Sequence, residues 1–283
     1  MCVDSNSSSP TVTHVIPGDE PVGGVTSLGD NVFVAREYSH QKIEVYDAET
    51  FTLQRHIIVP GLGKNSYSLA ACPHNNRLYA CNCDNDSVHR VELSGNNAMM
   101  KWSVARDPVG LSVNSEHNLL VVSEGERKVQ IFTTDGTLLQ NIQLQAGTGL
   151  PRHAVQLPTG PFLVSHYGSL HGVCLVRVDG AVLRSYGGQR GSEVTQMNGP
   201  AGLSVDREGR VLVADQYNNR LLVIHQSLSS DHEMSVRVDG GLTGPRSLWY
   251  DQSRRRLYIG ECGWSGGRVI VIDNLKDFST CRT

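Results

Sequence analysis

Arg152 and Arg246 each follow a proline, in the segments LPRHAV and GPRSLW. Two guanidinium groups at matched positions could hold an anion or a carboxylate, because the planar fork fits a carboxylate bidentately. Polar and aromatic residues follow each of them: His166, Tyr167 and His171 after the first, Glu261 and Trp264 after the second. With Tyr38, His40, Asp215 and Tyr217 they make up the candidate ligand-binding set. Aromatic side chains suit such a set because they give contact area at low entropic cost. Signals for covalent or metal chemistry are weaker. His166 and His171 stand near His153 and could form a local metal site, although surface-loop histidines are the commoner explanation. Cys81 and Cys83 form a CxC, but a shared metal would call for a second cysteine pair. There is no GxSxG, and GVTSLGD and GGQRGSE read as turns between strands rather than phosphate loops. No catalytic residue, no metal ligand and no cofactor is assigned.

The elements that must position these residues come from an internal repeat. The clearest unit is GPAGLSVDREGRVLVADQYNNRLLVI, residues 199–224. It reads as a strand over 203–205, a turn at Glu208-Gly209, a strand over 211–214, a polar loop and a strand over 220–224. Related units begin at Asp107, Leu150 and Gly244, and Pro108, Pro151, Pro200 and Pro245 recur at spacings of 43, 49 and 45 residues. Weaker copies begin at Pro21 and Ser66, which makes six. Most units carry a further strand, as over 137–142 and 181–186. Four strands at this period form a β-propeller blade. The last unit lacks its fourth strand, while an extra strand over 11–16 precedes the first unit. The expectation is an all-β, six-bladed propeller of four-stranded antiparallel blades. Its N-terminal strand would join the last blade, closing the ring and removing an exposed edge. Residues 1–10 are expected to be a disordered tail and 11–283 the propeller.

The unit at 199–224, with its Asn219-Arg220-Leu221 run, resembles the NHL repeat. The resemblance covers nearly the whole chain. It is strong in units three, five and six, moderate in four and weak in one and two. Such propellers form the C-terminal part of TRIM-NHL ubiquitin ligases, and they occur in Brat-like translational regulators and in peptidylglycine amidating lyase. The resemblance implies a non-catalytic module that binds a protein partner, including a ubiquitination substrate. The RING, B-box and coiled-coil parts of the ligases are absent from this chain. One alternative it implies is single-stranded RNA binding. Another is a metal-dependent lyase or hydrolase of the amidating-lyase or lactonase type.

In a propeller, the loop entering the first strand and the loop joining the second to the third share one face, where binding is expected. Alignment on the unit prolines puts Gly23, Ser68, Val109, Arg152, Ala201 and Arg246 at the channel mouth. None is a histidine, as the amidating lyase would need, and none is acidic, as the calcium of a lactonase would need. A phosphate groove could draw on Arg36, Arg127, Lys128, Arg152 and Arg246, but Glu37, Asp84, Asp86, Glu124, Asp215 and Glu261 on the same face would weaken it. Asp215, answered by Arg220, could instead tie neighbouring blades together. Cys72, Cys81, Cys174 and Cys262 read as small buried apolar residues, and Arg254, Arg255 and Arg256 as a solvated turn on the opposite face.

Composition sets the remaining bounds. With 39% hydrophobic and 19% charged residues the chain can bury a core, and 29 glycines suit many turns. A formal net charge of −3 gives no global pull on nucleic acid. The start, MCVDSNSSSPTVTHV, has no apolar leader core, and no membrane-spanning run follows. Seven cysteines without a disulfide spacing point to reduced thiols, a cytoplasmic setting and chance sequons at Asn6 and Asn85. A monomer with no membrane partner is expected.

Overall fold

The computed structural model describes residues 11–273 except 40, 66, 67, 96, 194, 230–233, 237, 239, 264 and 265. Short runs rich in valine and leucine, separated by glycine and asparagine turns, form six four-stranded antiparallel sheets. Five sheets follow chain order from the centre outward, over residues 22–58, 69–103, 108–143, 150–188 and 200–236. The sixth spans 245–273 and takes the N-terminal strand Val12–Ile16 as its outermost member, with Ile16 opposite Val269 and Val12 opposite Ile272. The strand left over before the first unit thus supplies the strand missing from the last. The architecture is an all-β, six-bladed propeller closed by its N-terminal strand. Strand bounds differ from the sequence reading by a few residues: Pro200–Val205, Arg210–Asp215 and Arg220–His225 in the fifth blade. Among the described residues no helix is long and apolar enough to cross a membrane.

The innermost strands meet their neighbours in order around a ring: Val22–Leu28, Leu69–Cys72, Pro108–Val113, Leu150–Gln156, Pro200–Val205 and Pro245–Asp251. Because the two faces of a blade pack against the blades on either side, middle strands such as Leu119–Ser123 and Arg256–Glu261 are buried along their whole length. The buried core divides into six clusters, one in each seam between blades. Close approach at the centre requires Gly110 and Gly202. A Cβ on Gly110 would lie 2.4 Å from the Arg152 carbonyl oxygen, and one on Gly202 would lie 2.6 Å from that of Arg246.

The seam between blades six and one, where the ring closes, is rich in arginine clamps. Arg36 bonds Glu44 and the carbonyls of Pro17, Glu20 and Gly267. Arg254 bonds Asp30, Glu49 and the Gly29 carbonyl. Arg256 bonds Asp273 and the Ala48 carbonyl and lies over the Phe51 ring. The arginine triplet is therefore not a solvated turn: only Arg255 is exposed, and its neighbours hold blade six to blade one. Carbonyl groups at strand ends need donors, and a guanidinium offers five in one plane.

Candidate functional site

The six residues aligned on the unit prolines line one central channel of about 190 Å³. In five blades the pairing of the first and second strands slips by at least one residue at this position. Arg152 falls between the pairs Pro151↔His166 and His153↔Ser165, and Arg246 between Pro245↔Glu261 and Ser247↔Gly260. The same slip occurs at Gly23 and Val109, and over Ala201-Gly202. A bulge leaves its extra residue out of the ladder and re-aims it. The repeat thus turns one residue per bulged blade toward the channel, and in blades four and six that residue is an arginine.

Each arginine meets a glutamate from a neighbouring blade. Arg152 Nη1 donates to Glu124 Oε2 at 3.2 Å, and the Tyr167 hydroxyl donates to Glu124 Oε1 at 2.9 Å. The Arg152 guanidinium carbon sits 5.3 Å from the Tyr167 ring centroid, within cation–π range. Burial, and then the Glu124 charge, push the Tyr167 hydroxyl above its ordinary pKa, so it stays a donor at neutral pH. Across the channel, Arg246 donates to Glu37 and lies 3.6 Å from Cys262 Sγ. The two pairs occupy the 3/4 and 6/1 seams, opposite each other on a six-membered ring.

The pairs differ in depth. The side chains of Arg246 and Glu37 are 11% and 8% exposed, those of Arg152 and Glu124 19% and 22%. The first pair belongs to the closing seam, and the second can be reached from the loop face. Between them on blade two, Cys83 donates its thiol to the Pro108 carbonyl at 2.7 Å, and burial raises its pKa, so it is no thiolate nucleophile. Below the mouth, His153 is fixed at both nitrogens: Nε2 meets the Leu111 carbonyl at 2.9 Å, and Nδ1 accepts from the Leu203 N–H at 3.3 Å. Burial lowers its pKa, so the neutral ring ties blades three, four and five together.

The other candidate residues separate into two groups. Tyr38 and Tyr217 stand on the rim, 54% and 60% exposed. Tyr38 holds φ at 65°, uncommon for a bulky residue, while its N–H donates to the Lys64 carbonyl. Asp215, Glu261, His166 and His171 are buried. Asp215 accepts from the Asn198 N–H, Asn218 Nδ2 and Arg220 Nε at 2.6–2.7 Å. Asp215 and Arg220 both belong to blade five, so this ion pair lies within a blade and is not the expected tie between blades. Glu261 accepts from the Thr243 N–H and from Arg268 in the same way. The His171 Nδ1 accepts from the Gly199 N–H at 2.8 Å, in the seam between blades four and five. Burial holds His166 at a pKa of about 4. Cys72, Cys81 and Cys174 are buried as expected, but Cys262 is half-buried beside Arg246. His40 and Trp264 lie outside the described residues.

Glu124 and Glu37 are the site residues the sequence left among scattered face charges. Both follow the second strand of their blade, one residue beyond the partner of the unit proline or its equivalent, and that shared position is the signal that marks them.

Comparison with known proteins agrees with the fold. The model of the NHL repeat matches residues 197–224, the inner part of blade five. No curated protein sequence matches the chain. Among solved structures, a streptogramin B lyase is 12% identical, with 95% of this chain and 87% of that chain covered and a TM-score of 0.66. Virginiamycin B lyase from Staphylococcus aureus is 10% identical over 93% and 88%, with a TM-score of 0.65. The PQQ-bound aldose sugar dehydrogenase from Streptomyces coelicolor is 13% identical over 94% and 98%, with a TM-score of 0.69. At such identities the likeness is one of fold, and function must be argued from the site. The chain is a six-bladed β-propeller that carries an NHL repeat in its fifth blade.

Proposed function

We propose that this propeller is a non-catalytic binding module that takes a protein partner on its loop face, a ubiquitination substrate being one such partner. The observation that carries this reading is the mouth itself. A half-exposed Arg152–Glu124–Tyr167 set, with Tyr217 and Tyr38 standing free on the rim, has the arginine and tyrosine composition of an interface hot spot. The channel beneath, at about 190 Å³, falls below the roughly 300–1,000 Å³ of pockets that engulf drug-sized ligands. It has room for a side chain of a partner. Both nitrogens of His153, the histidine nearest the amidating-lyase positions, are engaged by backbone, which weighs against the lyase reading.

In the RNA reading, four of the five basic residues are already paired with carboxylates. Arg36 is 5% exposed and bonds Glu44 and three carbonyls, and Arg152 and Arg246 each face a glutamate. Lys128 pairs with Glu126 at 2.7 Å. The test presents the full chain with a displayed random-peptide library and with a randomised single-stranded RNA pool across a salt series. Enriched peptides that Tyr217→Ala no longer retains are expected. Tight RNA binding that weakens steeply with salt would replace this reading with the RNA one.

A further inference from the structure

The pairing at the mouth makes a statement about ligand charge. A bare anion approaching Arg152 also approaches the Glu124 carboxylate, which is bonded to that same guanidinium at 3.2 Å. Attraction and repulsion then nearly cancel, and desolvation of the anion is left uncompensated. Two groups at the pair nevertheless remain available. Arg152 has five N–H donors, and only one of them meets a protein acceptor among the described residues. Each Glu124 oxygen accepts one bond and has a second acceptor site left. A carboxylate and a cation placed side by side would satisfy both and extend one ion pair into an alternating network of four charges.

We infer that the Arg152–Glu124 pair recognises a dipolar element of the partner, an acidic and a basic side chain presented next to each other, and not an isolated anion. This rests on the proposed loop-face reading. It assigns recognition to the 3/4 seam, because the opposite Arg246–Glu37 pair lies deeper, in the closing seam. Tyr167 is a positioning residue: its hydroxyl orients Glu124 and its ring supports Arg152.

The two ligand types give opposite signs when Glu124 is neutralised. Peptides enriched from the random library on the full chain are measured by fluorescence anisotropy against wild type, Arg152→Gln and Glu124→Gln, with inorganic phosphate as an anion probe. For a dipolar ligand both substitutions weaken peptide binding by about tenfold or more, since each removes a hydrogen bond to a charged group. The enriched sequences carry adjacent acidic and basic residues, and phosphate does not compete. For a simple anion, Glu124→Gln tightens binding, and that result overturns the inference, as does competition by phosphate. Peptides that bind wild type and both variants alike would remove the 3/4 seam as the recognition element but leave loop-face binding standing. A library that enriches nothing would remove the peptide reading itself. Thermal melts of each variant show whether a loss of binding reflects a loss of fold.

Discussion

Arg246 of the sixth blade and Glu37 of the first form an ion pair, with Glu37 buried and Arg246 nearly so, across the seam where the ring closes. Arg152 and Glu124 repeat the pairing on the opposite side of the channel, nearer to solvent. Breaking a buried pair strands a charge, so Arg246→Ala should cost roughly 3–5 kcal/mol of stability. Arg152→Ala, at a partly exposed pair, should cost about 1 kcal/mol or less. Urea unfolding midpoints of the two variants measure the difference. Equal losses would show that the two pairs are equivalent and that the contrast in depth has no energetic meaning.

The fastening around Asp215 should matter for stability and not for recognition. Its carboxylate is fully buried and accepts from three donors. Asp215→Ala leaves Arg220 and a backbone N–H without their acceptor and should cost about 3–5 kcal/mol. Asp215→Asn keeps an acceptor oxygen and should lose less. Melting temperatures give the order, and an unchanged midpoint for Asp215→Ala would contradict the fastening role.

Acid should unfold this protein from a predictable pH. His89 and His166 are buried, and burial holds both at a pKa of about 4, against 6.5 for a free imidazole. The unfolded chain therefore binds these protons first. Stability is fully present above pH 6.5 and falls as the pH drops from there through about 4, by up to roughly 3 kcal/mol per histidine. His89→Gln or His166→Gln should flatten that slope in urea titrations run between pH 7 and 4. A slope unchanged in both variants would mean that other groups drive the acid transition.

Ring closure by the N-terminal strand has a direct test. Deleting residues 1–16 strips the outer edge of Val269–Asp273 and removes Ile16 from the closing-seam core. An exposed edge beside a lost core residue predicts a lower melting temperature and association seen by size exclusion. A peptide spanning residues 11–17, added in trans, should restore part of the loss. A deletion variant that stays monomeric with an unchanged melt would show that closure does not depend on this strand.

Much of this architecture was legible in the sequence. The repeat period, the alternation of apolar runs with glycine and asparagine turns, and the spare strand before the first unit are local or periodic features, and each blade is built from contiguous chain. Alignment on Pro108, Pro151, Pro200 and Pro245 also brought Arg152 and Arg246 to one channel, because equivalent residues of a closed ring must meet at its axis. What those arginines touch was not legible. Glu124 precedes Arg152 by 28 residues, and Glu37 precedes Arg246 by 209, and in both cases the partner comes from a different blade. Nor does spacing reveal which of Asp215, Glu261, Glu37 and Glu124 is sealed in a seam and which reaches the face. Pairing across a seam depends on how blades rotate and pack, and burial depends on what the neighbouring blade lays over each side chain. Both are fixed only when the last blade meets the first.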